Sequence, residues 1–546
     1  MSLPPPLPEK IARRHDLDAL RSGAMLLGIA LHAAMAYTTF PWVVQDANTH
    51  AAYDAFFWAV HGFRMPLFFL LSGFFTAMLW KKRGAWGLVK HRLLRIGLPL
   101  LVGCLTIVPV VFMLMGMAAE QGRDMAQADE SRSKEIIWAA VATGDEEVVH
   151  EFLENGGSVH TLHPEVQCSL ISVAAMHGRA EMVVYLIEND ADVNQLNSDG
   201  STALHGACLF GRAEVVRFLL SCGADHEIKS KHGQIPAQLL QTDWKTTQWV
   251  GDLLRIPLDR EEVMAGRERC REVIGGEGVE SPSAWAQVYN GLAYFPVFQH
   301  LWFLWFLCWL SVMFFLVVWL KKMFPKCERC VQWMASSWCY LWLVPLTAII
   351  YYWQENGALM FGPDTSAGLL PMPSVLVYHA VFFGFGALLF WREKIPVPTR
   401  CHWVWQLVLS LCVLFPLGYG LINGRFPDLA ARLGETGTAV VSVLIQSTYV
   451  WLMCFSLMRM FCAILGRERK WVRYLSDSSY WLYLLHFPAL IAFQMVIRSW
   501  PLPSFLKFTI TCVVVTGGLL LIYELAVRYT WIGTVLNGRK KRRTSA

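Results

Sequence analysis

Hydrophobic residues gather along this chain in ten blocks, at about 20–40, 55–80, 93–118, 300–320, 338–354, 374–391, 403–421, 437–463, 479–498 and 503–530. Blocks of about 20 apolar residues match the length at which a helix crosses a hydrocarbon core of about 30 Å. The pattern predicts an all-α chain, a polytopic membrane bundle of about ten transmembrane helices. The start, "MSLPPPLPEKIARRHD", is proline-rich and then basic, with no short apolar region and no small-residue cleavage site. The first block therefore reads as an uncleaved anchor helix. The short polar loops set the orientation. "KKRGAWGLVKHR", "KKMFPKCERC", "WREKIPVPTR", "GRERKWVR" and "GRKKRR" follow the even-numbered blocks, and opposite loops such as "YWQENGALMFGPDTSAGLLPMP" are poor in Lys and Arg. Positive charge stays on the cytoplasmic side, which places both termini and the even-numbered loops there.

Between the third and fourth blocks the pattern turns polar for about 180 residues and repeats. "AAVATGDEEVVHEFLENGGSVH", "AAMHGRAEMVVYLIENDADVN" and "ACLFGRAEVVRFLLSCGADHE" align with Gly144, Gly178 and Gly211 in register, 34 and 33 residues apart. This period, with "GSTALHGA" nearby, resembles ankyrin repeats. The resemblance covers residues 132–256: three repeats and a degraded fourth through "HGQIPAQLLQTDW". Such units bury their faces only against neighbours, so a helical solenoid inserted between the membrane blocks is expected, its concave surface open to a protein partner or a bulky acceptor. His150, His160, His163, His177, His205, His226 and His232 fall at repeat turns and helix starts and form no catalytic pattern. If the third block runs outward, the insert is extracytoplasmic, and Cys168, Cys208 and Cys222 face an oxidising space.

Composition narrows the class. The chain is 55% hydrophobic and 16% charged, which excludes an ordinary soluble enzyme. Its net charge of +5 resides in loops and in the tail "GRKKRRTSA", a pattern of membrane topology and not of nucleic-acid binding. The 14 cysteines have no framework spacing. Cys327 and Cys330 form one C-x-x-C with no second pair, so no metal site is expected.

Ionisable residues inside the apolar blocks are the candidates for chemistry, because burying them in lipid is expensive. Arg21 and His32 stand eleven positions apart in "LRSGAMLLGIALHAAMAY", on one helix face and about 16 Å apart along the axis. That places a cation at the cytoplasmic mouth and a histidine near mid-membrane. The plain alternative is a snorkelling arginine and a hydrogen-bonded histidine. In "VHGFRMPLFFLLSGFF" the second block adds His61 and Arg64, with Ser72 and Gly73 nearer the cytoplasm and Gly73 read as a helix-packing residue. His300 and His379 lie at shallow outer positions, and His486 is deeper, reached from the cytoplasmic side. Glu524 and Arg528 are spaced as an intrahelical pair.

"LDALRSGAMLLGIALH", "FRMPLFFLLSGFF" and "HRLLRIGLPLLVG", with the later "HLWFLWFL", "SDSSYWLYLLHFP" and "YELAVRYTWIG", resemble the acyltransferase-3 family of integral membrane acyltransferases, most of all its glucan-biosynthesis succinyltransferase branch. The resemblance covers residues 13–120 and 285–540 and leaves out the insert. It implies transfer of an acyl group, acetyl or succinyl, from cytoplasmic acyl-CoA to an extracytoplasmic hydroxyl acceptor such as a glycan, without a metal, in a bacterial inner membrane. On the residues that match, Arg21 with Arg92 and Arg95 would clamp the CoA phosphates, with Ser72 and His486 lining the donor path. His32 would be general base or acyl carrier, Arg64 the oxyanion partner, and His61 the residue that orients His32 or shares its proton work. His300 and His379 would face the acceptor. Two other readings remain open from the sequence: a small-molecule transporter, and a non-catalytic anchor displaying the ankyrin block.

Overall fold

A computed structural model describes residues 14–129 except 41, 136–274 except 164–166, 232 and 255, then 289, 292–323, 334, 336–354, 360–391 and 402–537. Cys327, Cys330, His232 and the tail "GRKKRRTSA" lie outside the described residues. Among the described residues the elements are helices, with one isolated bridge between Leu162 and Ser169.

All ten apolar blocks fall on helices. Eight stretches are long and apolar enough to cross a membrane: His15–Tyr37, Ala51–Gln121, Gln299–Trp319, Pro373–Trp391, Trp403–Ile422, Thr436–Leu465, Lys470–Ile497 and Ser504–Val527. The 71-residue stretch contains two of the blocks, where helix α2 (Ala51–Arg92) passes through a π-helical turn at Leu93–Gly97 into α3 (Leu98–Asp129). Tyr340–Tyr352, the fifth block, is only 13 residues long. Leu101, Leu105, Val312, Leu316, Leu521 and Leu525 are exposed on the outside of the bundle, the surface a lipid phase would cover.

The first block needs a correction that moves the candidate base. Helix α1 spans His15–Ala34, so His32 sits in its last turn and not at its middle. The apolar run "AMAYTTF" continues past the helix but leaves it: Thr38 is extended, and the Asp46 and His50 amides donate to the carbonyls of Ala36 and Tyr37. These cross-loop bonds satisfy the backbone outside a helix, which hydropathy alone cannot register.

Small residues let the central helices touch. A Cβ at Gly73 would lie 1.8 Å from the Phe383 carbonyl oxygen, and one at Gly386 would lie 1.9 Å from that of Leu70. Gly73 thus packs α2 backbone to backbone on Pro373–Trp391.

The insert has a hydrophobic core of its own. Ile136–Thr143 pairs with Glu146–Glu154, Leu170–Met176 with Ala180–Glu188, and Ala203–Leu209 with Ala213–Ser221. The in-register glycines make the three turns: Gly144, Gly178 and Gly211 have φ of +90°, +74° and +67°, a conformation that side chains other than glycine rarely adopt. Helix Arg260–Ile274, beyond the repeat pattern, closes the stack. Its Val263 and Cys270 are buried, and Arg267 donates to the carbonyls of Leu209 and Thr242 and, at 2.6 Å, to the Thr247 hydroxyl.

Candidate active site

Three histidines from three helices meet around Phe487. His32 ends α1, His300 sits in the 3₁₀ turn Gln299–Leu301 that opens Trp302–Met323, and His486 lies within Lys470–Ile497. The His32 ring centroid is 5.2 Å from that of His486 and 5.2 Å from that of Phe487. His300 lies 5.7 Å from His486 and 5.1 Å from Phe487.

A proline makes part of this arrangement. Pro488 has no amide hydrogen, so within its helix the Leu484 carbonyl loses the donor four residues on. The His300 Nε2–H donates to that carbonyl at 3.0 Å, and the Tyr483 hydroxyl donates to the His300 carbonyl at 2.7 Å. The pair of bonds ties the start of one helix to the middle of another. His486 is held from within its own helix: Nδ1 lies 2.9 Å from the Tyr483 carbonyl and 3.1 Å from that of Leu482.

Arg64 supplies the charge. It is buried, and its Nε has no hydrogen-bond partner. It acts electrostatically on His32, His61, His486 and Tyr483. Its guanidinium rests on α1 at Gly28, one turn before His32. No carboxylate forms an ion pair with it among the described residues. A buried, unneutralised cation beside an imidazole suits a reaction that develops negative charge on oxygen.

The other expected residues divide between this centre and other places. Arg21 donates to the Ser476 hydroxyl at 2.6 Å and to its carbonyl at 3.0 Å, with Asp18 3.7 Å away. It therefore marks the far end of the same α1 face, where it meets the helix that carries His486. Arg92 donates to the Thr76 hydroxyl, which donates to the Ser72 carbonyl at 2.6 Å, so Ser72 and Arg92 belong to one small network. Arg95 donates to the Leu536 carbonyl at 3.1 Å. His61 lies one helical turn before Arg64, with its ring stacked on Phe57 and its Nε2–H donated to the Pro363 carbonyl at 3.1 Å. His379 lies in the second turn of Pro373–Trp391, buried within the protein, with its ring 4.4 Å from Phe69 and 5.5 Å from Trp302. Glu524 and Arg528 form the i,i+4 pair at 2.7 Å.

Four residues of the centre have no place in the sequence reading: Gly28, Tyr483, Phe487 and Pro488. Two of them left a trace, a glycine four residues before His32 and a proline two residues after His486.

Comparison with known proteins bears on both parts of the chain. The acyltransferase domain family model matches residues 14–123 and 268–524, and a model for ankyrin repeats in three copies matches residues 136–230. Protein phosphatase 1 regulatory subunit 27 of Homo sapiens is 34% identical over 106 residues, 19% of this chain and 68% of that protein. Glucans biosynthesis protein C of Salmonella paratyphi B is 33% identical over 109 residues, 20% of this chain. The match spans 28% of the length of that relative. Among solved structures, the ankyrin repeat domain of Bcl-3 matches at 29% identity over 22% of this chain and 50% of that one, with a TM-score of 0.19. With two thirds of its residues matched by one family model and a three-repeat block between the two matched parts, the chain belongs to the acyltransferase-3 family of membrane acyltransferases and carries inserted ankyrin repeats.

Proposed function

We propose that the chain moves an acetyl or succinyl group from acyl-CoA to a hydroxyl of an extracytoplasmic acceptor, a glycan, at the centre formed by His32 and Arg64. The supporting observation is Arg64 itself, a buried guanidinium without a carboxylate partner among the described residues, held one helical turn from a histidine. Such a cation is costly unless a substrate uses it.

In this reading the CoA phosphates dock at the end that carries Arg21, Arg92 and Arg95, where an arginine's charge and planar fork suit phosphate. The thioester carbonyl reaches Arg64. His32 removes the acceptor hydroxyl proton as the oxygen attacks, and Arg64 stabilises the oxyanion. The C–S bond then breaks, the ester is released, and the proton held by His32 passes to the thiolate. His300 and His486, whose rings meet beside Phe487, would both approach the acceptor. The ankyrin block follows α3 to the end of the bundle where α1 finishes, and it would present the acceptor or a protein partner there. This reading places the protein in a bacterial inner membrane with both termini cytoplasmic and the insert outside.

The test is single-turnover transfer from radiolabelled acetyl-CoA and succinyl-CoA by purified protein in bilayers, with a cell-envelope extract as acceptor. Wild type should consume one donor, and His32→Ala and Arg64→Gln should lose at least about 100-fold. If wild type uses neither donor, or if His32→Ala keeps full activity, the proposal fails. Labelling of Cys222 by an impermeant thiol reagent in intact cells tests the placement of the insert; labelling only after permeabilisation overturns it.

A further inference from the structure

About 24 Å along α2 beyond Arg64, the surface of the bundle opens into a groove that acyl transfer does not use. It holds about 440 Å³, within the range of sites that take one small ligand. Trp80 and Ala85 line it from α2, and Val312, Phe315, Leu316 and Trp319 line it from the helix Trp302–Met323. No lining residue is charged. Gly84 shapes the groove: with φ of +68° and ψ of −173° it breaks α2 between Trp80 and Ala85, a conformation that glycine takes without strain. The Trp80 ring meets that of Phe315 edge-on at 5.5 Å and ties the two walls together. Val312, Leu316 and Trp319 are exposed, so the groove opens outward, where a membrane bundle meets hydrocarbon.

The rim is basic. Lys81, Lys82 and Arg83 stand in the chain between the two lining residues of α2, and all three are exposed. The Lys81 Nζ lies 5.9 Å over the Phe390 ring. No acid pairs with Lys82 or Arg83 among the described residues. The groups on which Arg83 acts electrostatically are His91 and Arg95, a base and another cation. The facing helix adds Lys321 and Lys322 in its last turn. Trp86, 77% exposed, follows Ala85, and an exposed indole settles at the boundary between hydrocarbon and water. An uncharged slot beneath uncompensated cations is complementary to a molecule with an acyl chain and an anionic head. We propose that the groove is a binding site for an anionic phospholipid, with one acyl chain between Trp80 and Trp319 and the phosphate at Lys82 and Arg83. The lipid straddles the break at Gly84 and steadies the chain that leads on to Arg92 and Arg95. The proposal needs the bundle to lie in a membrane; it does not need the acyl-transfer reading.

The test uses the full chain in nanodiscs of phosphatidylcholine and phosphatidylglycerol. Native mass spectrometry of the released protein reports which lipid is retained, and a diazirine on the phosphatidylglycerol acyl chain maps its place. Each basic residue at a lipid surface contributes about a fivefold preference, so wild type should retain phosphatidylglycerol over phosphatidylcholine by about 25-fold. Its cross-links should fall on residues 80–85 and 312–319. Lys82→Gln with Arg83→Gln should bring the two lipids near parity. Ala85→Trp fills the groove and leaves the charges, so it should lose those cross-links while melting as wild type does, since the position is exposed. Equal retention of the two lipids by wild type, cross-links spread over the whole outside of the bundle, or a double variant with wild-type preference overturns the proposal. So does displacement of the lipid by palmitoyl-CoA, which would make the groove a donor site, or a stable dimer whose interface covers it. The wild-type cross-links decide the matter even where a variant does not fold.

Discussion

The guanidinium of Arg64 lies against the bare backbone of Gly28, so close that a Cβ added there would come within 2.3 Å of Nη1. Gly28 and His32 share one face of α1 at i,i+4 spacing, so the notch fixes the height of the charge relative to the imidazole. Gly28→Ala should push the guanidinium away from that position. Alanine favours a helix over glycine by about 1 kcal/mol, so the helix itself should not suffer. The expected result is folded protein whose kcat for acyl transfer falls by about 10²-fold, the scale on which loss of one oxyanion donor acts. Unchanged kcat in Gly28→Ala would separate Arg64 from the chemistry.

Pro488 separates stability from activity. Replacing it with alanine restores an amide that competes with His300 for the Leu484 carbonyl, and it relieves the cost of proline inside a helix, up to about 3 kcal/mol. Pro488→Ala should melt at the same temperature as wild type or higher, and turn over about tenfold more slowly as His300 loses its anchor. A thermal melt and a kcat measured on one preparation decide the point; a variant that is both stabler and fully active would show that the His300 tether is dispensable.

What the sequence made legible follows from how local each feature is. Helix periodicity places Arg21 and His32 on one face without any tertiary information, and the repeat period alone locates Gly144, Gly178 and Gly211, each of which turns out to be a positive-φ turn. Depth was less accessible. The apolar letters of block 20–40 run on past the end of α1 at Ala34 and the 3₁₀ turn Met35–Tyr37 into extended backbone from Thr38, because hydropathy measures solubility and not backbone hydrogen bonding. Taken helix by helix, the sequence puts His300 on the acceptor side and His486 on the donor path. Only their packing shows that the start of one helix meets the middle of another, with both rings on Phe487. His61 resembled a partner of His32 for the same reason, and the loop at Pro363, far away in sequence, is what claims it.

Lys507 and Asp46 form a buried ion pair at 2.8 Å, with side chains 3% and 1% exposed, and Lys507 also donates to the Arg498 carbonyl at 2.7 Å. The pair fastens the loop that follows His32 to the helix Ser504–Ile522. Removing one partner strands the other charge, which costs about 3–5 kcal/mol, whereas removing both leaves no charge to strand. Lys507→Met alone and Asp46→Leu alone should each lower the melting temperature strongly in detergent, and the double variant should recover much of the loss. A double variant no better than the worse single one would mean that the pair is not the source of the stability.

The insert should respond to acid through histidines that lie outside the candidate site. Burial, assisted by Arg179 and Arg212, pushes His177 down to about 4. Burial likewise lowers His205, whose Nε2–H donates to the Gln234 carbonyl at 2.9 Å while Nδ1 accepts the Thr202 amide at 3.1 Å. Both rings are neutral in the folded repeats and titrate near 6.5 once unfolded. Above about pH 6.5 neither state binds these protons, and their contribution to stability is complete. As the pH falls below that value the unfolded chain takes up protons that the folded one refuses, so stability drops until about pH 4, where His177 protonates in both states. The repeats should therefore melt at lower temperature, and be cut faster by protease, at pH 5 than at pH 7. His177→Gln should flatten that slope without abolishing it, since His205 still titrates. His205→Gln adds a direct penalty at every pH, because it disturbs the capping bond to Thr202 within its own repeat and the bond to Gln234 in the next unit, worth about 1–3 kcal/mol. Protease resistance that is equal at pH 7 and pH 5 would show that these imidazoles are solvated and that the repeat interfaces are looser than their burial indicates.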